Sequence, residues 1–153
     1  MKKVAIVVGS ESDKEQMDKA IEVLKQFDIQ YDFNVLSAHR DPDALHEYIQ
    51  SLDEKVYAVI IAGAGMAAAL PGCVAAQTLL PVIGVPMTGG ALNGVDALYS
   101  IVQMPKGIPV GCMAIGSSGA VNAAIYAVRI MSLSDDVLRE KLVQHRESLK
   151  ARK

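Results

Sequence analysis

Five times along this chain a short apolar run gives way to a turn and then to a stretch with helical spacing. That alternation constrains the fold more than any other feature. Strands separated by helices pair in parallel, and a parallel sheet has to be covered on both faces. The first strand is predicted over Lys3–Val8, ending at Gly9, followed by a helix over Asp13–Phe27 with Met17, Ala20, Ile21, Leu24 and Phe27 on one stripe. Tyr31–Leu36 reads as the second strand. Asp41 and Pro42 open the next helix as cap and first helical residue, and Leu45, Tyr48, Ile49 and Leu52 form its inward stripe. Further strands are expected over Tyr57–Ile61, Pro81–Val85 and Pro109–Ile115, and further helices over Leu70–Thr78, Gly94–Val102, Ala120–Ser132 and Ser134–Lys150. Right-handed crossovers make a doubly wound α/β domain with strand order 2-1-3-4-5 the simplest arrangement. One domain, 1–153, accounts for the whole length.

Between Val56 and Val95 no residue is charged. Glycines and Pro71, Pro81 and Pro86 break this stretch repeatedly, so it reads as buried strands and a short packed helix rather than a membrane span. Half of the chain is hydrophobic, 51%, and the mean hydropathy is +0.25. A small domain of that composition leaves apolar surface wet, so subunits are expected to cover one another. The helix at 120–132 is apolar on nearly every side and should be buried between layers or subunits. The last helix, 134–150, is a candidate to reach across to another subunit. With a net charge of −2 and no basic block, the footprint of a nucleic-acid binder is missing. Cys73 and Cys112 lack CxxC spacing and sit in apolar runs, as buried thiols of a reducing cytoplasm do. The apolar stretch after Met1-Lys2-Lys3 is too short for the core of a signal peptide.

Ligands of this architecture bind beyond the carboxyl ends of the strands, where tips 2, 1 and 3 lie side by side. After strand 1 comes Gly9-Ser10-Glu11-Ser12-Asp13. Ser12 with Glu15 has capping-box spacing, and Ser10 or Ser12 would stand at a helix N-terminus that attracts an anion such as phosphate. Asp13 is suited to sugar hydroxyls. After strand 2 comes Ser37-Ala38-His39-Arg40, with a titratable imidazole and a planar guanidinium fork for phosphate oxygens. After strand 3, Gly63, Ala64 and Gly65 lead through Met66 and three alanines to Leu70-Pro71-Gly72. Small side chains there let a ligand approach the backbone. The loop is neither a dinucleotide GxGxxG nor a Walker loop. No metal-ligand spacing occurs, no GxSxG elbow is present, and His46 and His145 lie in charged helices.

Together these tips resemble the aminoimidazole ribonucleotide carboxylase/mutase family of purine synthesis, PurE. Gly84-Val85-Pro86 and the run from Ser100 through Gln103-Met104-Pro105 to Val110 are similar to further signatures of that family. The resemblance covers essentially the whole chain. It implies a flavodoxin-like three-layer fold, a cytoplasmic homo-octamer, and no cofactor or metal. One class of the family isomerises N5-carboxyaminoimidazole ribonucleotide to 4-carboxyaminoimidazole ribonucleotide. The other carboxylates aminoimidazole ribonucleotide directly with CO2. Arg40, the glycine/alanine loop and Gly107-Ile108-Pro109-Val110 look like the first class, which makes isomerisation the expected activity and direct carboxylation the alternative. At Ala69 the first class usually has His, and at Met66 usually Gly, so a polar group expected near the reacting carboxylate is missing.

His39 is then the expected proton carrier. Ser10, Ser12, Asp13, Ser37 and Arg40 are expected to hold the ribonucleotide, and Gly63, Ala64, Gly65 and Leu70 to line the chamber for CO2. A receiver module would need an acidic pair at the end of strand 1 and an aspartate ending strand 3, where this chain has Gly9-Ser10 and Ala62-Gly63. A flavin carrier wants aromatic side chains around the ring, and this chain has no Trp.

Overall fold

The computed structural model describes residues 1–150. Five parallel strands form one sheet in the order β2-β1-β3-β4-β5, as expected for a flavodoxin-like fold. They are β1 (Lys3–Val8), β2 (Tyr31–Val35), β3 (Tyr57–Ala64), β4 (Val82–Pro86) and β5 (Gly111–Cys112). Six helices alternate with them: α1 (Lys14–Gln26), α2 (Pro42–Ser51), α3 (Leu70–Ala75), α4 (Val95–Val102), α5 (Ser117–Met131) and α6 (Asp136–Lys150).

Period-two alternation splits the core into two layers. Val4, Ile6 and Val8 of β1, Val59 and Ile61 of β3, and Ile83 and Val85 of β4 face α1, α5 and α6. Ala5 and Val7, Ile60 and Ala62, and Val82 face α2, α3 and α4. Both faces are buried, which is why these strands read as unbroken apolar runs.

Helix α5 lies against the first layer through Ala120, Ala123, Ala124, Ala127 and Val128, all fully buried. Small residues at this spacing let helix and sheet approach closely. Gly119 marks the tightest point: a Cβ there would collide with the carbonyl oxygen of Ala114 and lie 2.7 Å from its carbon. Helix α6 is capped by Asp135, whose carboxylate accepts from Leu138 N–H at 3.0 Å, so it begins later than Ser134. Its Leu138 enters the core, Lys141 pairs with Asp28 at 2.7 Å, and the His145 ring lies 5.5 Å from that of Phe27. The last helix, expected to reach across to another subunit, thus has contacts within its own chain.

Two strands differ from the sequence reading by more than one residue at an end. β3 continues to Ala64, carrying Gly63 and Ala64 into the ladder, where they pair with Val85 and Pro86. β5 is confined to Gly111–Cys112 instead of Pro109–Ile115. It is an edge strand with one neighbour, and Pro109 has no N–H to start a ladder. Beyond Cys112 only isolated bonds hold the segment to β4, from Met113 N–H to Gly84 and from Gly116 N–H to Pro86.

Gly119→Ala should destabilise the fold by about 3 kcal/mol, because the clash is with backbone that cannot repack. Urea unfolding followed by circular dichroism measures this as a lower midpoint with unchanged slope.

Candidate active site

The ladder registers bring the first three strand tips to one level. Val8, the last residue of β1, pairs with Val35 on one side and with Gly63 on the other. The three loops that leave these tips surround a cavity of about 450 Å³, a size suited to a small-molecule ligand. Ser10, Ser12, Asp13, Ser37, His39, Arg40, Ala64, Gly65 and Leu70 all line it. Gly63 does not, contrary to expectation. As part of β3 it faces the core, where a Cβ would run into the Met87 methyl and lie 2.6 Å from that of Met17. His46 and His145 are also outside the cavity.

The loop after β1 is organised by Ser10. A 3-10 turn over Glu11–Asp13 precedes α1, and Ser10 Oγ accepts from Ser12 N–H at 3.4 Å and from Ser12 Oγ at 3.0 Å. This turn moves the cap back to Ser10, so the expected Ser12–Glu15 capping box does not form. Asp13 then falls between the tips of β1 and β3. Cβ atoms built on Gly9 and Gly65 would approach its carboxylate at 3.9 and 4.0 Å. Asp13 is only 8% exposed and is the one buried charged residue among those described. Burial pushes its carboxyl pKa above the ordinary carboxylate value, against a smaller lowering from hydrogen bonding with the Ser10 backbone.

A turn from Ser37 to Asp41, closed by Asp41 N–H on Ser37 O at 3.0 Å, presents His39 and Arg40. Both are exposed at the cavity. Ser37 Oγ accepts from Arg40 N–H at 3.2 Å and from Arg40 Nε–H at 3.4 Å, while an Arg40 terminal nitrogen donates to Gly9 O at 3.3 Å. The guanidinium thereby ties tip 2 to tip 1 and keeps its remaining N–H groups for an anion.

A fourth tip contributes that the sequence reading missed. Thr88, Gly89 and Gly90, following β4, complete the wall. Gln16 of α1 holds them: its Oε1 accepts from Thr88 N–H at 3.0 Å and from Thr88 Oγ1 at 2.9 Å, and its Nε2 donates to Thr88 O at 3.3 Å. The Gly89-Gly90 pair, both at positive φ, was the available signal. The partnership with Gln16 joins residues 72 positions apart and left no local trace.

The family model described as AIR carboxylase matches residues 3–152. The chain belongs to the AIR carboxylase family. Relatives named N5-carboxyaminoimidazole ribonucleotide mutase bear this out. The one from Pyrococcus abyssi is 51% identical over 98% of this chain and 85% of its own length. That from Escherichia coli is 51% identical over 95% of this chain and 86% of its own. A crystal structure of Treponema denticola PurE superposes with a TM-score of 0.89 at 29% identity, covering 99% of this chain and 94% of that one. In this AIR carboxylase family member two of the signature stretches meet: a Cβ on Gly72 would lie 3.1 Å from the Met104 sulfur, so the Leu70-Pro71-Gly72 turn packs on the Gln103-Met104-Pro105 segment.

An acid whose pKa is raised by folding contributes most below its unfolded value, near 3.9, and loses that contribution as pH climbs through the folded value. Asp13→Asn cannot ionise. It should therefore melt at a higher temperature than the native chain at pH 7, with the gap closing toward pH 4, while ligand affinity falls by about tenfold or more. Calorimetry across pH, with binding measured on the same samples, checks both halves.

Proposed function

We propose that this chain converts N5-carboxyaminoimidazole ribonucleotide to 4-carboxyaminoimidazole ribonucleotide in purine biosynthesis, with His39 carrying the proton. The observation that carries the reading is a shared cavity. An imidazole, an arginine, three serine hydroxyls and a buried carboxylate converge there from two different loops. Relatives at about half identity bear the name of that activity.

Arg40, Ser10 and Ser12 suit a phosphate, and Asp13 suits ribose hydroxyls. Fixing those groups positions the base against the loop after β3. The bond between N5 and the carboxylate carbon breaks, its electron pair stays on nitrogen, and His39 supplies the proton that nitrogen needs. The CO2 released is attacked by C4 of the electron-rich ring. His39 then takes the C4 proton, which restores the imidazolium and closes the cycle without any outside oxidant or reductant. Imidazole suits both halves because it gives and accepts protons near neutral pH. The CO2 never has to be recaptured from solution if the chamber holds it, so proximity supplies much of the acceleration.

The reading includes a cytoplasmic homo-octamer. Leu92, Val95, Tyr99 and Val102 are exposed along α4 and its approach, and Leu79 and Leu133 are almost wholly exposed. That apolar surface is what contacts between subunits would cover.

Incubation with N5-carboxyaminoimidazole ribonucleotide should give product without added bicarbonate, whereas aminoimidazole ribonucleotide with bicarbonate should react poorly. The reverse preference would make the chain a CO2-using carboxylase. His39→Asn should bind product as the native chain does but turn over at least about a hundredfold more slowly; activity within tenfold of native would remove His39 from the role. Arg40→Ala should raise KM by about tenfold or more with a smaller change in kcat, and steady-state kinetics separates the two.

A further inference from the structure

Met66 combines three properties that packing alone does not explain. Its backbone is left-handed, φ 51°, a conformation that a side chain with a Cβ adopts at a cost. The residue is 59% exposed although apolar. It also lines the cavity. Strain held at a cavity wall points to a use for the residue in the site.

The thioether has a defined seat. A Cβ built on Gly90 would lie 3.1 Å from Met66 Cγ and 3.3 Å from its sulfur. Gly90 itself has φ 65° and belongs to the loop after β4. Met66 therefore bridges the loops after β3 and β4, and glycine at 90 leaves the room for it. The loop after β4 is in turn fixed to α1 by Gln16.

The cavity is chemically divided. Its charged groups and serine hydroxyls come from the tips of β1 and β2, while the β3 side offers Met66, Ala67, Ala69 and Leu70. A phosphate belongs at the first end by charge. The reacting carboxylate, once it becomes neutral CO2, is best held at the second end, where no side chain of that wall competes for it by hydrogen bonding.

We infer that Met66, seated on Gly90, is the side chain that closes the apolar end of the cavity and keeps released CO2 from escaping before it reaches C4. Met66 is not a catalytic residue in this role. It decides how often a released CO2 is lost, and no group in the chain need titrate for it to act. Its unbranched, flexible side chain suits a wall that must also let substrate in and product out. The inference rests on the isomerase reading above.

The test follows the carboxylate. N5-carboxyaminoimidazole ribonucleotide labelled in its carboxyl carbon is converted by the enzyme in unlabelled bicarbonate buffer, and label in the product is measured by mass spectrometry. The native chain should retain most of the label. Met66→Gly, which also relieves the left-handed strain, should lose label several-fold more often and accumulate aminoimidazole ribonucleotide, with product affinity and melting temperature not lowered. Met66→Leu should restore retention, as a merely conformational role for residue 66 would not. Equal retention in native and Met66→Gly enzymes, or a native enzyme that forms product while losing its label, overturns the inference and leaves the isomerase reading standing. A native chain that forms no product from this substrate overturns both.

Discussion

The site depends on the register of β1 between its neighbours. Val8 stands opposite Val35 and Gly63 at once, so three strands finish at the same height and their loops enclose one space. A slip of one residue in either pairing would turn the apolar set of a strand toward the other helix layer. The burial of both faces fixes the register, and the register fixes the site.

On that frame, two polar links join loops that are far apart in the chain. Arg40 bonds to Gly9 O and to Ser37, and Gln16 closes three hydrogen bonds on Thr88. Each replaces water with a fixed partner, so the loops are ordered before a ligand arrives, which lowers the entropic cost of binding. Asp13 works in the opposite direction. Its carboxylate is buried where ionisation is disfavoured, which costs stability and leaves a strong acceptor facing the cavity.

Much of this was legible in the residue pattern. The helix stripes of α1 and α2, the Asp41 cap and Pro42 at the first turn came out as read, with Asp41 accepting from Ala44 N–H at 3.1 Å. So did the clustering of Ser10, Ser12, Asp13, Ser37, His39 and Arg40. Misreadings fell where a local rule met a tertiary contact. The capping box at Ser12 lost to a 3-10 turn capped by Ser10, β5 lost its length for want of an outer partner, and Gly63 proved to be a space for methionine methyl groups.

The sequence by itself determined the layering, the strand order and which tips carry polar groups, because those follow from the spacing of apolar residues and from the handedness of crossovers. Only the tertiary structure decided that the loop after β4 joins the site, that Gln16 holds it, and that Met66 rests on Gly90. Those contacts join residues distant along the chain through single side chains. They leave no periodicity behind, and nothing short of the folded packing brings them together.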